Sequence, residues 1–204
     1  MSFFQNTCKP DGFGGKIMVK VMNSGHSALA RWGFSKLDTH ADWTVLDAGC
    51  GGGANVAVWL DKCPNGYVTG LDYSSVSVAE SKKVNDAAIQ RRRCHILQSD
   101  VSAMPFPDAH FDCVSAFETV YFWHGLTKCF AEVNRVLKRG GMFMICNESD
   151  GTNASDETWT KLIDGMTIYT EQQLRAALEE AGFSDIVSHA DRKKHWLCVI
   201  VRKA

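Results

Sequence analysis

The chain has 204 residues, 45% of them hydrophobic, with 22 lysines and arginines against 23 aspartates and glutamates and a formal net charge of −1. That is one domain of ordinary size with enough apolar content for one substantial core. The balanced charge argues against nucleic acid or a membrane surface as partner, since both select basic surfaces. No apolar run approaches the ~18 residues of a membrane-spanning helix, and no charged-then-apolar leader opens the chain, so a soluble, cytoplasmic protein is expected. The eight cysteines contain no CxxC pair, and Cys113, Cys146 and Cys198 sit inside apolar runs. They read as reduced core residues, and no metal site is expected.

In chain order, residues 1–10 are polar, and Asp11 to Gly15 is a turn-rich entry. Ile17, Met18, Val21 and Met22 recur at helical spacing, stopped by Asn23-Ser24-Gly25. Ser27 is a candidate cap for a second short helix carrying Leu29 and Trp32. Residues 1–40 are therefore expected to form a helical cap in front of the first strand. Strands are then expected at 44–48, 67–71, 95–98, 111–117 and 142–146. Helices are expected at 54–62, from Ser74 or Ser75 to about Arg93, and at 126–138. Arg91-Arg92-Arg93 reads as a solvated helix end. Strand alternating with helix is the mark of a mostly parallel sheet covered on both faces. Residues 147–166 break the rhythm and read as an insertion near the sheet's C-terminal edge. Thr170 caps a helix over 171–180 that Gly182 ends, and strands 183–189 and 195–201 close the chain through a polar hairpin. The last strand is thus antiparallel in an α/β, doubly wound, seven-stranded sheet, all within a single domain.

The organising stretch is Val45 to Gly53, where a buried strand turns through glycines directly into a helix. Glycine lets the backbone turn tightly and approach a ligand, and the helix start offers unpaired N–H groups and a positive dipole end. Gly49-x-Gly51-x-x-Ala54 alone is a weak dinucleotide fingerprint. The carboxylates add more. Asp47 stands where it could meet a cationic group of a ligand. Asp72, about 20 residues past the glycines, can accept both hydroxyls of a ribose. Asp100 ends the neighbouring strand beside Ser99 and Val101 and can accept from a base amine. In open α/β sheets such strand tips are where ligands bind.

These residues resemble the class I S-adenosylmethionine-dependent methyltransferases, in particular their small-molecule (methyltransferase type 11-like) branch. The similarity covers about residues 40–150. It runs through Val45–Gly53, Gly70-Leu71-Asp72-Tyr73-Ser74, Ser99-Asp100-Val101, Phe106-Pro107-Asp108, Phe111–Val114, Phe117–Trp123 and Glu132–Gly141. The resemblance implies S-adenosylmethionine as cofactor and S-adenosylhomocysteine as product. Gly49 and Gly51 would pass under the methionine moiety, Asp72 would hold the ribose and Asp100 the adenine amine. Asp47, Cys50, Tyr73, Ser99, Val101, Phe117 and Glu118 complete the expected cofactor site. Glu118-Thr119-Val120-Tyr121 departs from the Asp/Asn-Pro-Pro-aromatic pattern of enzymes acting on exocyclic base nitrogens, which again counts against nucleic acid.

The expected activity is methyl transfer to a small-molecule acceptor by in-line displacement, in a dry pocket that Tyr121, Phe122 and Trp123 could line. His26, Tyr121 and His124 are candidate catalytic groups, with the base left unassigned. A nicotinamide oxidoreductase and a nucleoside-binding protein without turnover are the competing readings. The acceptor, the atom methylated and the oligomeric state are open.

Overall fold

The computed structural model describes residues 27–204. The expected helix at 17–22, Cys8 and the candidate His26 lie outside the described residues. In order the elements are α1 (Ser27–Phe34), β1 (Thr44–Ala48), α2 (Ala54–Lys62), β2 (Tyr67–Asp72), α3 (Ser75–Val84), α4 (Asp86–Gln90) and β3 (Cys94–Gln98). Then follow β4 (Phe111–Phe117), a 3-10 turn (Val120–Phe122), α5 (Leu126–Val136), β5 (Leu137–Asn147), α6 (Asp156–Leu162), α7 (Glu171–Glu180), β6 (Phe183–Asp191) and β7 (Trp196–Lys203).

The seven strands form one sheet in the order β3-β2-β1-β4-β5-β7-β6. Pairs from β3 to β5 are parallel, and β7 runs antiparallel to both neighbours. The order reverses between β1 and β4, which opens the crevice where doubly wound sheets bind ligands. Successive strand residues feed opposite cores. Val45, Cys113 and Met144 pack with Phe34 and Trp59 under α1 and α2. Leu46, Val114 and Phe143 pack with Phe130, Val133, Leu174 and Leu178 under α5 and α7. Burial on both faces explains why the strands read as continuous apolar runs rather than alternating ones.

Three expectations are corrected. The helix expected to reach Arg93 breaks at Asn85, whose Nδ2 donates to Gly53 O at 3.1 Å and Ser81 O at 2.9 Å, turning it toward the glycine loop. Arg93 is no solvated end: its Nη2 donates to Leu60 O and Cys63 O and so closes the C-terminus of α2. Cationic donors suit the unpaired carbonyls there. The strand expected at 142–146 begins earlier, at Leu137, because Phe111 already pairs with Leu137 before an irregularity in the ladder. Thr170 and Gln173 form a reciprocal capping box at the start of α7, an arrangement worth about 1 kcal/mol.

The edge of the sheet opposite the crevice is pinned by charge. Asp112 accepts from Thr44 N and from Lys138 Nζ, both at 2.8 Å. Arg135 grips Glu132 through two donors, then Asp108 Oδ1, Phe106 O and Met104 O. That fork ties the Phe106-Pro107-Asp108 loop to α5. The described cysteines 50, 63, 94, 113, 129, 146 and 198 are buried and free. Among the described residues no helix is long and apolar enough to cross a membrane, and no group of three or more His, Cys, Asp or Glu could hold a metal ion.

Candidate active site

The C-terminal tips of β1, β2, β3 and β4 surround a cleft of about 770 Å³. The backbone of residues 49–53 forms one wall. Gly49 N and Cys50 N donate to Leu71 O at 2.7 and 2.9 Å, which locks the loop to β2. Gly49 has φ +77°, and a Cβ there would sit 2.0 Å from Thr119 Oγ1. Gly53 has φ +83°, and its Cβ would meet Ser81 Oγ at 2.3 Å and Asn85 Nδ2 at 2.5 Å. Only glycine fits either position, for both steric and conformational reasons. Gly51, by contrast, faces open space within 4 Å, so its bare backbone is presented to the cleft.

Asp72 is buried at the end of β2. Its Oδ2 accepts from Gly51 N and its Oδ1 from Ser74 N, both at 2.9 Å. Burial raises its pKa, and those two N–H donors partly counter the rise. One donor per oxygen leaves lone pairs on each for a ligand diol. Asp100, at the exposed end of β3, takes Ser102 N at 2.7 Å, which lowers its pKa. Glu118 follows β4 with φ +58°, an uncommon conformation for a non-glycine residue that marks stored strain at a site. Its N–H donates to Cys146 O at 2.9 Å. Its Oε1 accepts from Glu148 N and from Tyr121 Oη. Burial first, then the nearby Glu148 charge, pushes its pKa up to about 8, against the lowering effect of the Glu148 N–H.

Of the residues expected at the site, Gly49, Cys50, Gly51, Asp72, Tyr73, Ser99, Asp100, Val101, Phe117, Glu118 and His124 all line this one cleft. Asp47 does not. It is only 2% exposed, and its Oδ1 accepts from Ser115 Oγ at 2.7 Å, whose oxygen in turn accepts from Trp59 Nε1 at 2.8 Å. Burial raises its pKa to about 7. It supports the turn from behind instead of meeting a ligand cation, because its side chain leaves β1 toward the Trp59 face. Tyr121 is likewise absent from the lining. Its hydroxyl donates to Glu118 and accepts from Ser149 N at 3.0 Å, which makes it a brace for the Glu118 loop. Phe122 and Trp123 do line the cleft, as do Asp164 and Gly165 from the 147–166 segment.

Sequence reasoning missed Thr119, which lies against Gly49 and accepts from Trp123 Nε1 at 3.2 Å. It also missed Arg31 on α1 and Lys62 on α2, both in the cleft wall. The spacing of Asn55, Val58 and Lys62 along one helix face was the available signal for Lys62.

A doubly wound sheet whose switch-point crevice joins a glycine turn, a helix start and two acidic strand tips defines a nucleoside-cofactor-binding α/β domain. The comparisons narrow the class. Residues 46–145 match the family described as methyltransferase domain, and the chain belongs to the S-adenosylmethionine-dependent methyltransferases. It is 30% identical over 151 residues to cycloartenol-C-24-methyltransferase 1 of Oryza sativa subsp. japonica, covering 70% of this chain and 44% of that protein. It is 24% identical to the uncharacterized methyltransferase YdaC of Bacillus subtilis, covering 81% of this chain and 85% of that protein. In fold it resembles a chain from the complex between the Haloferax volcanii Trm112 methyltransferase activator and a methyltransferase. That match has a TM-score of 0.81 at 22% identity, over 90% of this chain and 92% of the other. The chain spans less than half the length of the first curated relatives it matches.

S-adenosylmethionine is the cofactor of this class, and the cleft suits it. A diol needs the outward lone pairs of Asp72, a sulfonium needs a bare backbone turn without a competing cation, and a base amine needs an exposed acceptor such as Asp100.

Proposed function

We propose that the protein is a cytoplasmic enzyme that transfers a methyl group from S-adenosylmethionine to a small-molecule acceptor, not to nucleic acid. The observation that carries the reading is the convergence of the Gly49–Gly53 turn, Asp72, Asp100 and Glu118 on a single cleft. In this reading Gly49, Cys50 and Gly51 pass under the amino-acid end of the cofactor. Asp72 accepts both ribose hydroxyls, with Tyr73 beside it. Ser99, Asp100 and Val101 frame the adenine, and Phe117 with Glu118 borders the reacting end.

When bound, the cofactor supplies a methyl on a sulfonium: an acceptor lone pair bonds to the methyl carbon as the carbon–sulfur bond breaks, and that pair remains on sulfur. The chain's own residues orient and desolvate. Glu118 borders the reacting end with its Oε1 already engaged by Glu148 N and Tyr121 Oη, which fixes the carboxyl in place. Phe117, Phe122 and Trp123 keep water from the line of attack, and alignment of this kind can supply about 7–11 kcal/mol. His124, exposed on the cleft rim, is the described imidazole placed to take a proton from an acceptor that carries one. Tyr121 serves by holding Glu118.

The test is binding of labelled S-adenosylmethionine against NAD, followed by a mass-spectrometric screen of a metabolite extract for products heavier by one methyl. Binding of NAD alone would sink the reading. S-adenosylmethionine binding without any methylated product would leave a nucleoside-binding protein.

A further inference from the structure

We propose that the acceptor is an amphiphilic acid, a carboxylate or phosphate on an apolar body, bound where the cleft runs between α1 and α2. The inference rests on the methyl-donor reading and names the substrate class of the same cleft. The cleft is charged differently at its two ends. Three of its acids, Asp72, Asp100 and Glu118, stand at the strand tips, and a fourth, Asp164, comes from the 147–166 segment. Its cations, Arg31 and Lys62, stand on the two helices.

Neither Arg31 nor Lys62 forms an ion pair among the described residues. Lys62 Nζ instead lies over the Phe34 ring, 5.4 Å from its centre, a cation–π contact in the cleft wall. Between the two cations the cleft wall is apolar. Ala30 and Phe34 come from α1 and Val58 from α2, and Phe34 continues onto Phe117 at a ring distance of 4.8 Å. An apolar track thus leads from the cations to the strand tips where the methyl is presented.

The cofactor's own carboxylate does not account for Lys62. Eight residues separate Ala54 from Lys62, which places its Cα about 12 Å along the helix axis from the glycine turn. A cation in the last turn of α2 also complements the helix dipole, but that explains neither its place in the cleft wall nor Arg31 opposite. Two cations of the cleft wall without an ion pair among the described residues, beside an apolar track, suit a ligand that brings negative charge and an apolar body.

The probes are decanoate, decyl phosphate and decanol, titrated calorimetrically into the protein saturated with S-adenosylhomocysteine. The two anions are expected to bind at least tenfold tighter than decanol, and whichever anion binds tighter identifies the headgroup. In the double variant Arg31→Gln, Lys62→Gln that advantage should fall at least fivefold. Thermal melting and S-adenosylhomocysteine titration of the variant check its fold. Decanol binding as tightly as the anions, no probe binding, or an anion advantage that survives in the double variant would each overturn the proposal. Failure of the methyl-donor reading is seen separately, as no binding of S-adenosylhomocysteine before any probe is added.

Discussion

The two ends of the sheet use the same side-chain type in opposite ways. At the edge bearing Arg135, each carboxylate meets a cation of the chain itself. Glu132 is gripped by Arg135, which lowers its pKa, and Asp112 holds Lys138. At the strand tips Asp72 and Glu118 form no ion pair among the described residues. Asp72 is buried and Glu118 partly so, with N–H and O–H donors, and their pKa values rise. Carboxylates matched internally close a structure, whereas carboxylates buried with spare lone pairs are expensive until a ligand uses them. The difference marks one edge as scaffold and the other as site.

Four variants break or sharpen that contrast. The largest effect is expected for Gly49→Ala. Its Cβ meets Thr119 and its φ disfavours any side chain. Strain of about 3 kcal/mol should weaken S-adenosylhomocysteine binding about 100-fold; an unchanged calorimetric affinity would show that the loop adapts. Asp72→Asn keeps the shape but removes the anion. A loss of about 2 kcal/mol, or about 30-fold in cofactor affinity, is expected, with the same titration as readout. If the variant bound normally, the ribose assignment would be wrong.

Arg135→Ala tests the other edge. Urea unfolding should show a loss of about 2–3 kcal/mol, since Glu132 and two carbonyls lose a charged donor. Cofactor affinity should stay within about twofold, as none of Arg135, Glu132, Asp108, Phe106 and Met104 lines the cleft. A large affinity loss with little destabilisation would reverse the roles of the two edges.

The effect smallest per step measured is in pH dependence. The Glu118 carboxyl titrates near 4.5 when unfolded and at about 8 when folded. Between those values the folded state holds a proton that the unfolded state has lost, so stability declines as pH rises. The contribution is intact below about pH 4.5 and gone above about pH 8. Glu118→Gln should flatten the decline by up to ~1 kcal/mol per pH unit, measured by urea unfolding at intervals from pH 5 to 8. Identical slopes in both proteins would show that Glu118 is ionised in the fold.

Much of this contrast was legible in the residues. The glycines at 49, 51 and 53, the spacing to Asp72 and the acid at position 100 each follow from backbone conformation or strand-end geometry, and all but the buried Gly53 reach the cleft lining. Asp47 and Tyr121 stand behind the cleft lining, Asp47 turned toward Ser115 and Tyr121 held against Glu118, placements that chain position does not carry. The break at Asn85 was illegible for a related reason: its cause is a bond to Gly53 O across the fold.

The order of the strands and the type of most elements were determined by local chemistry alone. Apolar runs marked the strands, glycines marked the turns, and a polar link marked the final antiparallel pairing. Which carboxylate opens onto the cleft, which is matched by Arg135, and which helices bring cations to the cleft wall were decided only by the tertiary structure. Solvation and pairing depend on what lies opposite a side chain, and a chain position does not carry that information.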